Sequence, residues 1–238
     1  FNSVFHRESF LAALEKLLGR MPDNQRFDAV EKIYEKSYIH PPGIKDIKFV
    51  EKKRDGPMRI LWVARWEHDK RPEEFFEAMK AVKQAGLDFR LSVIGESFRD
   101  VPDVFEWARG YFGEHIERWG YQQSRDEYEN ALYQADIVVS TAGHEFFGIS
   151  VVEAIAAGAY PVLPERLSYP ELLKLEENEE SRRFFYSCGA EELGQKLKEL
   201  IRCGSRTELW VGEPDSAAKL VERFKWKSLV SEYDRSME

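Results

Sequence analysis

The sequence predicts an α/β fold, a doubly wound parallel sheet. Three observations carry this: five short apolar runs, the amphipathic segments alternating with them, and a composition rich enough to bury both. Of 238 residues, 43% are hydrophobic and 13% aromatic, which excludes a disordered tail. No stretch of about 18 apolar residues exists, so no segment reads as a membrane-spanning helix. Lys and Arg number 35 against 43 Asp and Glu, a formal net charge of −8. That balance argues against a chain that grips phosphate backbones over its whole surface, and leaves room for a local basic patch. Cys188 and Cys203 are too few for a disulfide framework and favour a reducing compartment, hence a cytoplasmic location. The chain opens Phe1-Asn2-Ser3 with no methionine and no signal peptide, and reads as a cut through a longer protein.

The opening twenty residues place Phe10, Leu11, Leu14, Leu17 and Leu18 on one helical face, with Ser3 as a cap and a stop near Gly19. A polar stretch follows, then Pro41-Pro42-Gly43, which prohibits helix and central strand alike, and a solvated turn over 51–57. From Arg59 the rhythm becomes strand, helix, strand. The run 59–65 reads as a strand buried on both faces, and 72–86 as an amphipathic helix between Pro72 and Gly86. Strand 89–95, helix 101–112, strand 116–121 and helix 124–135 follow, the last opened by Ser124 and Glu127 as a capping box. Strand 136–141, the Ala-rich helix 148–158 and strand 160–164 complete the alternation, and 184–187 offers a sixth strand before a helical end.

In such a sheet, ligands bind beyond the carboxyl ends of the strands. Four loops sit there: 64–72, 95–98, 119–124 and 141–148. The first holds Arg65, Lys70 and Arg71. Arg65, by its planar fork, and Lys70, as a point charge, suit a diphosphate; equally, they suit a solvated loop in which they pair with Glu67 and Asp69. In the last loop, seven residues separate Glu145 from Glu153, with Phe146-Phe147-Gly148 opening a helix. Gly148 lets the backbone approach a ligand, and free amides at the helix start favour an anion. Glu153 suits two neighbouring ribose hydroxyls. An ordinary amphipathic helix would also carry such a glutamate, but Val151, Val152, Ala154 and Ile155 surround this one, so it needs a partner. His144 reads as an acid or base, or as a residue that holds the loop. His6, His40, His68 and His115 read as surface or interdomain residues, and the tryptophans as packing residues, with Trp66 and Trp119 next to the cleft. No metal-ligand spacing, no Asp-x-Asp pair, no G-x-G-x-x-G and no Walker loop is present.

Strand-end Arg65 and Lys70, followed by Glu145 and Glu153 as an E-x7-E element, resemble the donor half of a retaining GT-B glycosyltransferase of family 4. The segments RWEHDKRPEEFF, VIGESFRDVPDVF and STAGHEFFG are similar to the tRNA-queuosine α-mannosyltransferase group, and NSVFHRESFL resembles the end of that group's N-terminal domain. The resemblance implies a donor domain over 41–238 and a remnant of an acceptor domain over 1–40. It implies GDP-mannose as donor, no cofactor and no metal, and queuosine in tRNA as acceptor through the N-terminal domain. Arg65 and Lys70 would offset the leaving diphosphate. Glu145 would face the sugar, with Phe146, Phe147 and Gly148 presenting amides. Glu153 would hold the ribose, and Tyr121 would lie near the guanine. The alternatives are a nucleotide-binding module that transfers nothing, a family 4 enzyme acting on a glycan or lipid, and an epimerase or phosphorylase of the same fold.

Overall fold

The computed structural model describes residues 1–23, 25–51, 56–187, 189–203, 209–210 and 213–237. Cys188 and the centre of the turn at 52–55 lie outside them. From the amino end, α1 (Val4–Leu18) and α2 (Asp28–Glu35) precede an extended segment. Then come β1 (Met58–Val63), α3 (Pro72–Gln84), β2 (Phe89–Ile94), α4 (Val104–Phe112), β3 (Ile116–Gly120) and α5 (Arg125–Gln134). Next follow β4 (Ile137–Val139), α6 (Ile149–Ala156), β5 (Tyr160–Pro164), α7 (Tyr169–Leu172) and β6 (Phe185–Tyr186). The carboxyl end holds α8 (Gly189–Arg202), α9 (Ser216–Val221) and α10 (Trp226–Met237).

All strand pairs are parallel, in the order β3-β2-β1-β4-β5-β6. This is a doubly wound α/β sheet, as expected, and its order reverses between β1 and β4. The side chains of Ile60, Leu61 and Trp62 in β1 and of all of β4 are buried because helices cover both faces, which is why these strands read as unbroken apolar runs. The inward face of α3 buries Phe75, Phe76, Ala78, Met79 and Val82, each large side chain contributing about 1.5–3 kcal/mol. Pro72 starts that helix, where a missing N–H costs nothing.

Two elements differ from expectation. Residues 20–37 contain the helix α2, a short helix in a polar stretch: its apolar face, Ala29, Val30 and Ile33, is only half-buried, and Asp28 pairs with Arg26 and Lys32. On α1, Leu11 and Leu18 are buried, whereas Phe10 and Leu17, one step round the helix, remain about half exposed. The Pro41-Pro42-Gly43 segment is neither helix nor strand, as its chemistry demands, and Ile44 bridges the carboxyl end through Ile44 N to Phe224 O and Trp226 N to Ile44 O. Ser3 caps α1 by accepting from His6 N. Its hydroxyl also donates to Phe146 O at 2.6 Å, and Glu171 accepts from the amides of Val4 and Phe5. The leading helix is therefore tied to the loop before α6.

Gly95, just past β2, lies so close to β1 that a Cβ there would overlap the Ala64 carbonyl oxygen. Gly110, inside α4, has open space where a Cβ would go. Gly95→Ala is expected to lower the melting temperature by roughly 3–10 °C, the cost of forcing two backbones apart. Gly110→Ala is expected to raise it by about 1–4 °C by restricting the unfolded chain. Thermal unfolding of the two variants checks both.

Candidate functional site

The crevice lies where the strand order reverses, at the carboxyl ends of β1 and β4. After β1 the chain runs through Ala64 and Arg65 to a 3₁₀ turn at His68–Lys70 and then Arg71, whose left-handed φ of 49° turns it into α3. After β4, Ser140 to Phe147 lead to Gly148, whose φ of 88° opens α6. The two loops are clipped together. Gly143 N donates to Asp69 O at 2.7 Å, and the Thr141 hydroxyl donates to Lys70 O at 2.7 Å while accepting from the Trp62 indole. From α6, the Ser150 hydroxyl donates to Val63 O.

A cleft of about 420 Å³ opens here, lined by Arg65, Lys70, Glu145, Phe147, Gly148 and Glu153 among others. A second, of about 430 Å³, adjoins it toward β2 and β3 and is lined by Tyr121, Gln122, Glu96 and Arg125. Val63, Ala64, Arg65, Tyr128 and Ser150 line both.

Lys70 is only 6% exposed. Its ammonium donates to His144 O at 2.6 Å and lies 3.1 Å from Asp69 and 3.4 Å from Glu145. Such burial is tolerable for a charge only with these partners. Arg65 stays about half exposed and donates to Glu67 at 3.0 Å. Pairing with Glu67 and Asp69 thus coexists with a place on the cleft wall. Glu145 takes Lys70 on one oxygen and the amides of Phe146 and Phe147 on the other, at 3.1 and 3.4 Å. The two amides expected to face a donor thus donate to the Glu145 carboxylate in this structure. The first-turn amides of α6 have no intrahelical partners, and Gly148 offers them no side chain.

Glu153 is 6% exposed. The partner its apolar neighbours demanded is double: Arg125 donates to one oxygen and the Tyr128 hydroxyl to the other, each at 2.7 Å. Burial opposes the charge on Arg125, yet its hydrogen bonds to Glu153 and Glu129 raise its pKa overall; burial and then the Glu153 charge push the Tyr128 hydroxyl up. Tyr169, its hydroxyl 2.6 Å from the Ser140 hydroxyl, backs the cleft and is likewise pushed up by burial.

Three candidates stand apart from this cluster. The His144 side chain is well exposed, 3.9 Å from Asp69, and lines neither cleft; its carbonyl is the part that holds Lys70. The Phe146 ring turns away to stack on His6 at 3.8 Å. Tyr121 is mostly exposed at the edge of the second cleft. Trp66 and Trp119 pack against each other and Phe105, behind the cleft. Arg125 and Tyr128 were missed as site residues: they read only as parts of a capped helix, although their spacing puts them on one face. Asn2 was missed too, and it reaches the cleft wall from the leading segment. Among the described residues no group of three or more His, Cys, Asp or Glu is placed to hold a metal, and no helix is long and apolar enough to cross a membrane.

Comparison with known proteins places the chain among glycosyltransferases. The family described as tRNA-queuosine alpha-mannosyltransferase N-terminal matches residues 1–44. A tRNA-queuosine alpha-mannosyltransferase of Drosophila melanogaster is 32% identical over 183 residues, 72% of this chain and 48% of the relative. A GDP-mannose-dependent alpha-(1-6)-phosphatidylinositol dimannoside mannosyltransferase of Mycobacterium tuberculosis is 28% identical over 119 residues, 49% of this chain and 30% of the relative. The chain thus spans about half the length of the first and under a third of the second. Among solved structures, the pneumococcal O-GlcNAc transferase GtfA superposes with a TM-score of 0.67 over 90% of this chain and 43% of its own, at 12% identity; that likeness is one of fold, the GT-B architecture. The Glycosyl transferases group 1 family matches residues 43–213, taking in the whole sheet and both clipped loops, and the chain belongs to that family.

Proposed function

We propose that this chain is the donor-binding part of a retaining mannosyltransferase that carries mannose from GDP-mannose to queuosine in tRNA. The observation that carries the reading is Glu153 on the wall of the first cleft, bonded to Tyr128, which lines both that cleft and the adjoining one. A nucleoside diphosphate sugar is a linear sequence of base, ribose, diphosphate and sugar. Laid along the clefts with its ribose at Glu153, it puts the base beside Tyr121 and the diphosphate between Arg65, Lys70 and the start of α6. The sugar then reaches Glu145. The mannosyl donor is supported by the mannosyltransferase functions of the fly and mycobacterial relatives, and the tRNA acceptor by the fly relative and the match over residues 1–44.

In this reading the leaving diphosphate gains negative charge as the glycosidic bond breaks. Lys70, Arg65 and the first-turn amides of α6 meet that charge where it develops, each strong donor worth about 3–4 kcal/mol of barrier. No cofactor and no metal ion are required. Glu145 orients the sugar hydroxyls. As the sugar engages Glu145, the amides of Phe146 and Phe147 become available to it, and His144 serves through its carbonyl by fixing Lys70. Residues 1–40 belong to an acceptor-side domain and 41–238 to the donor domain. The reaction is placed in the cytoplasm, with its tRNA.

Calorimetric titration with GDP and with GDP-mannose is expected to give the same affinity with and without EDTA; strict dependence on Mg²⁺ or Mn²⁺ would overturn the metal-free reading. The two glutamates are expected to fail differently. Glu153→Ala should weaken GDP binding by roughly 1.5–3 kcal/mol through lost ribose hydrogen bonds, whereas Glu145→Ala should spare GDP and weaken GDP-mannose. Equal losses of GDP affinity would refute the division. Labelled mannose transfer to queuosine-containing tRNA is expected from a protein that joins this chain to its acceptor-side domain, and none from residues 1–238 alone, because positioning the acceptor is worth several kcal/mol of barrier. Transfer to a lipid or glycan instead would keep the enzyme class and discard the tRNA.

A further inference from the structure

Glu153 is a carboxylate buried among Val151, Val152, Ala154 and Ile155, and it carries no neutralising charge from its own helix. Its partners come from α5. Arg125 reaches one oxygen and Tyr128 the other, both at 2.7 Å. The guanidinium is itself fixed: Nε donates to Glu129 at 2.6 Å, and the plane lies over the Tyr128 ring at 4.9 Å. Arg125 and Tyr128 sit three apart on α5, so they face the same neighbour.

The geometry points to Arg125 and Tyr128 as positioning residues that hold the Glu153 carboxylate oriented toward the hydroxyl groups of a nucleoside's ribose. This rests on the ribose reading of Glu153. A carboxylate offers about four lone-pair sites. Two are used here, one on each oxygen, and the remaining two are those a pair of neighbouring hydroxyls would fill. With one protein donor on each oxygen the carboxyl group is pinned at both ends and its plane is fixed, one lone-pair site on each oxygen staying open. Tyr128 also lines both clefts, and Arg125 lines the one that holds Tyr121, so the pinning groups lie beside the path of the nucleotide rather than behind it. A pair that merely joined α5 to α6 would have no bearing on which ligand atoms bind.

The test compares GDP with 2′,3′-dideoxy-GDP, which lacks only the two hydroxyls, by calorimetry on the whole chain. The unaltered chain is expected to prefer GDP. Tyr128→Phe, which removes one oxygen and keeps the ring, should weaken GDP about three- to tenfold while changing dideoxy-GDP affinity by less than twofold. Arg125→Lys, which keeps the charge and loses the fork, should do the same. Parallel losses for both ligands in both variants would reveal a purely structural pair, and unchanged preference for GDP would show that neither residue acts through Glu153. Either result overturns the proposal. Glu153→Gln separates the two levels: if it leaves the preference for GDP intact, the ribose reading itself falls. Melting temperatures of the three variants within a few degrees of the parent assign the losses to binding, and a collapse confined to Arg125→Lys leaves Tyr128→Phe to decide.

Discussion

The site depends on a buried ammonium. Lys70 has lost almost all its water, and what replaces it comes from both sides of the crevice: Asp69 from its own turn, the His144 carbonyl and the Glu145 carboxylate from the turn before α6. A buried charge deprived of any one of these partners is costly. The loops leaving β1 and β4 therefore cannot drift apart without stranding it, and the backbone clips through Asp69 and Thr141 act in the same direction. The reversal of strand order supplies the crevice, and Lys70 keeps its two lips in register.

The two cations on the cleft wall differ in freedom. Arg65 is held by one exposed ion pair with Glu67, a contact worth at most about 1 kcal/mol. It can turn to an incoming anion at little cost. Lys70 is held on three sides and meets an anion where it stands. One cation is adaptable and the other pre-positioned, so a diphosphate has only half its counter-charge to reorganise.

The sheet was legible because parallel strands buried on both faces write themselves as unbroken apolar runs, and Pro72, Ser124 and Gly148 mark helix starts through backbone chemistry. Much of the cleft was legible for a related reason: charged residues at strand ends, such as Arg65, Lys70 and Glu145, have few places to point except into the crevice. Glu153 announced its need for a partner by the company it keeps. The partner's identity was hidden, because Arg125 and Tyr128 lie 28 and 25 residues upstream and nothing local distinguishes them from any exposed helix residues. The orientation of Phe146 was hidden too. It follows from a contact with His6 across the fold, and three-dimensional neighbours of that kind leave no period in the chain. The helix α2 escaped because its apolar face is only three residues, Ala29, Val30 and Ile33, set in a polar stretch of two turns.

The bond between Ser3 and the Phe146 carbonyl has a mechanical meaning. Phe146 is the residue after Glu145, and its amide is also one of the donors on that carboxylate. A single residue is thus gripped at its carbonyl by the cap of α1 and at its amide by the glutamate. Tilting the leading helix pulls on the same short length of backbone that aims the carboxylate. The Glu171 carboxylate anchors the start of the same helix through the amides of Val4 and Phe5, so α1 and the turn at Glu145 share one frame.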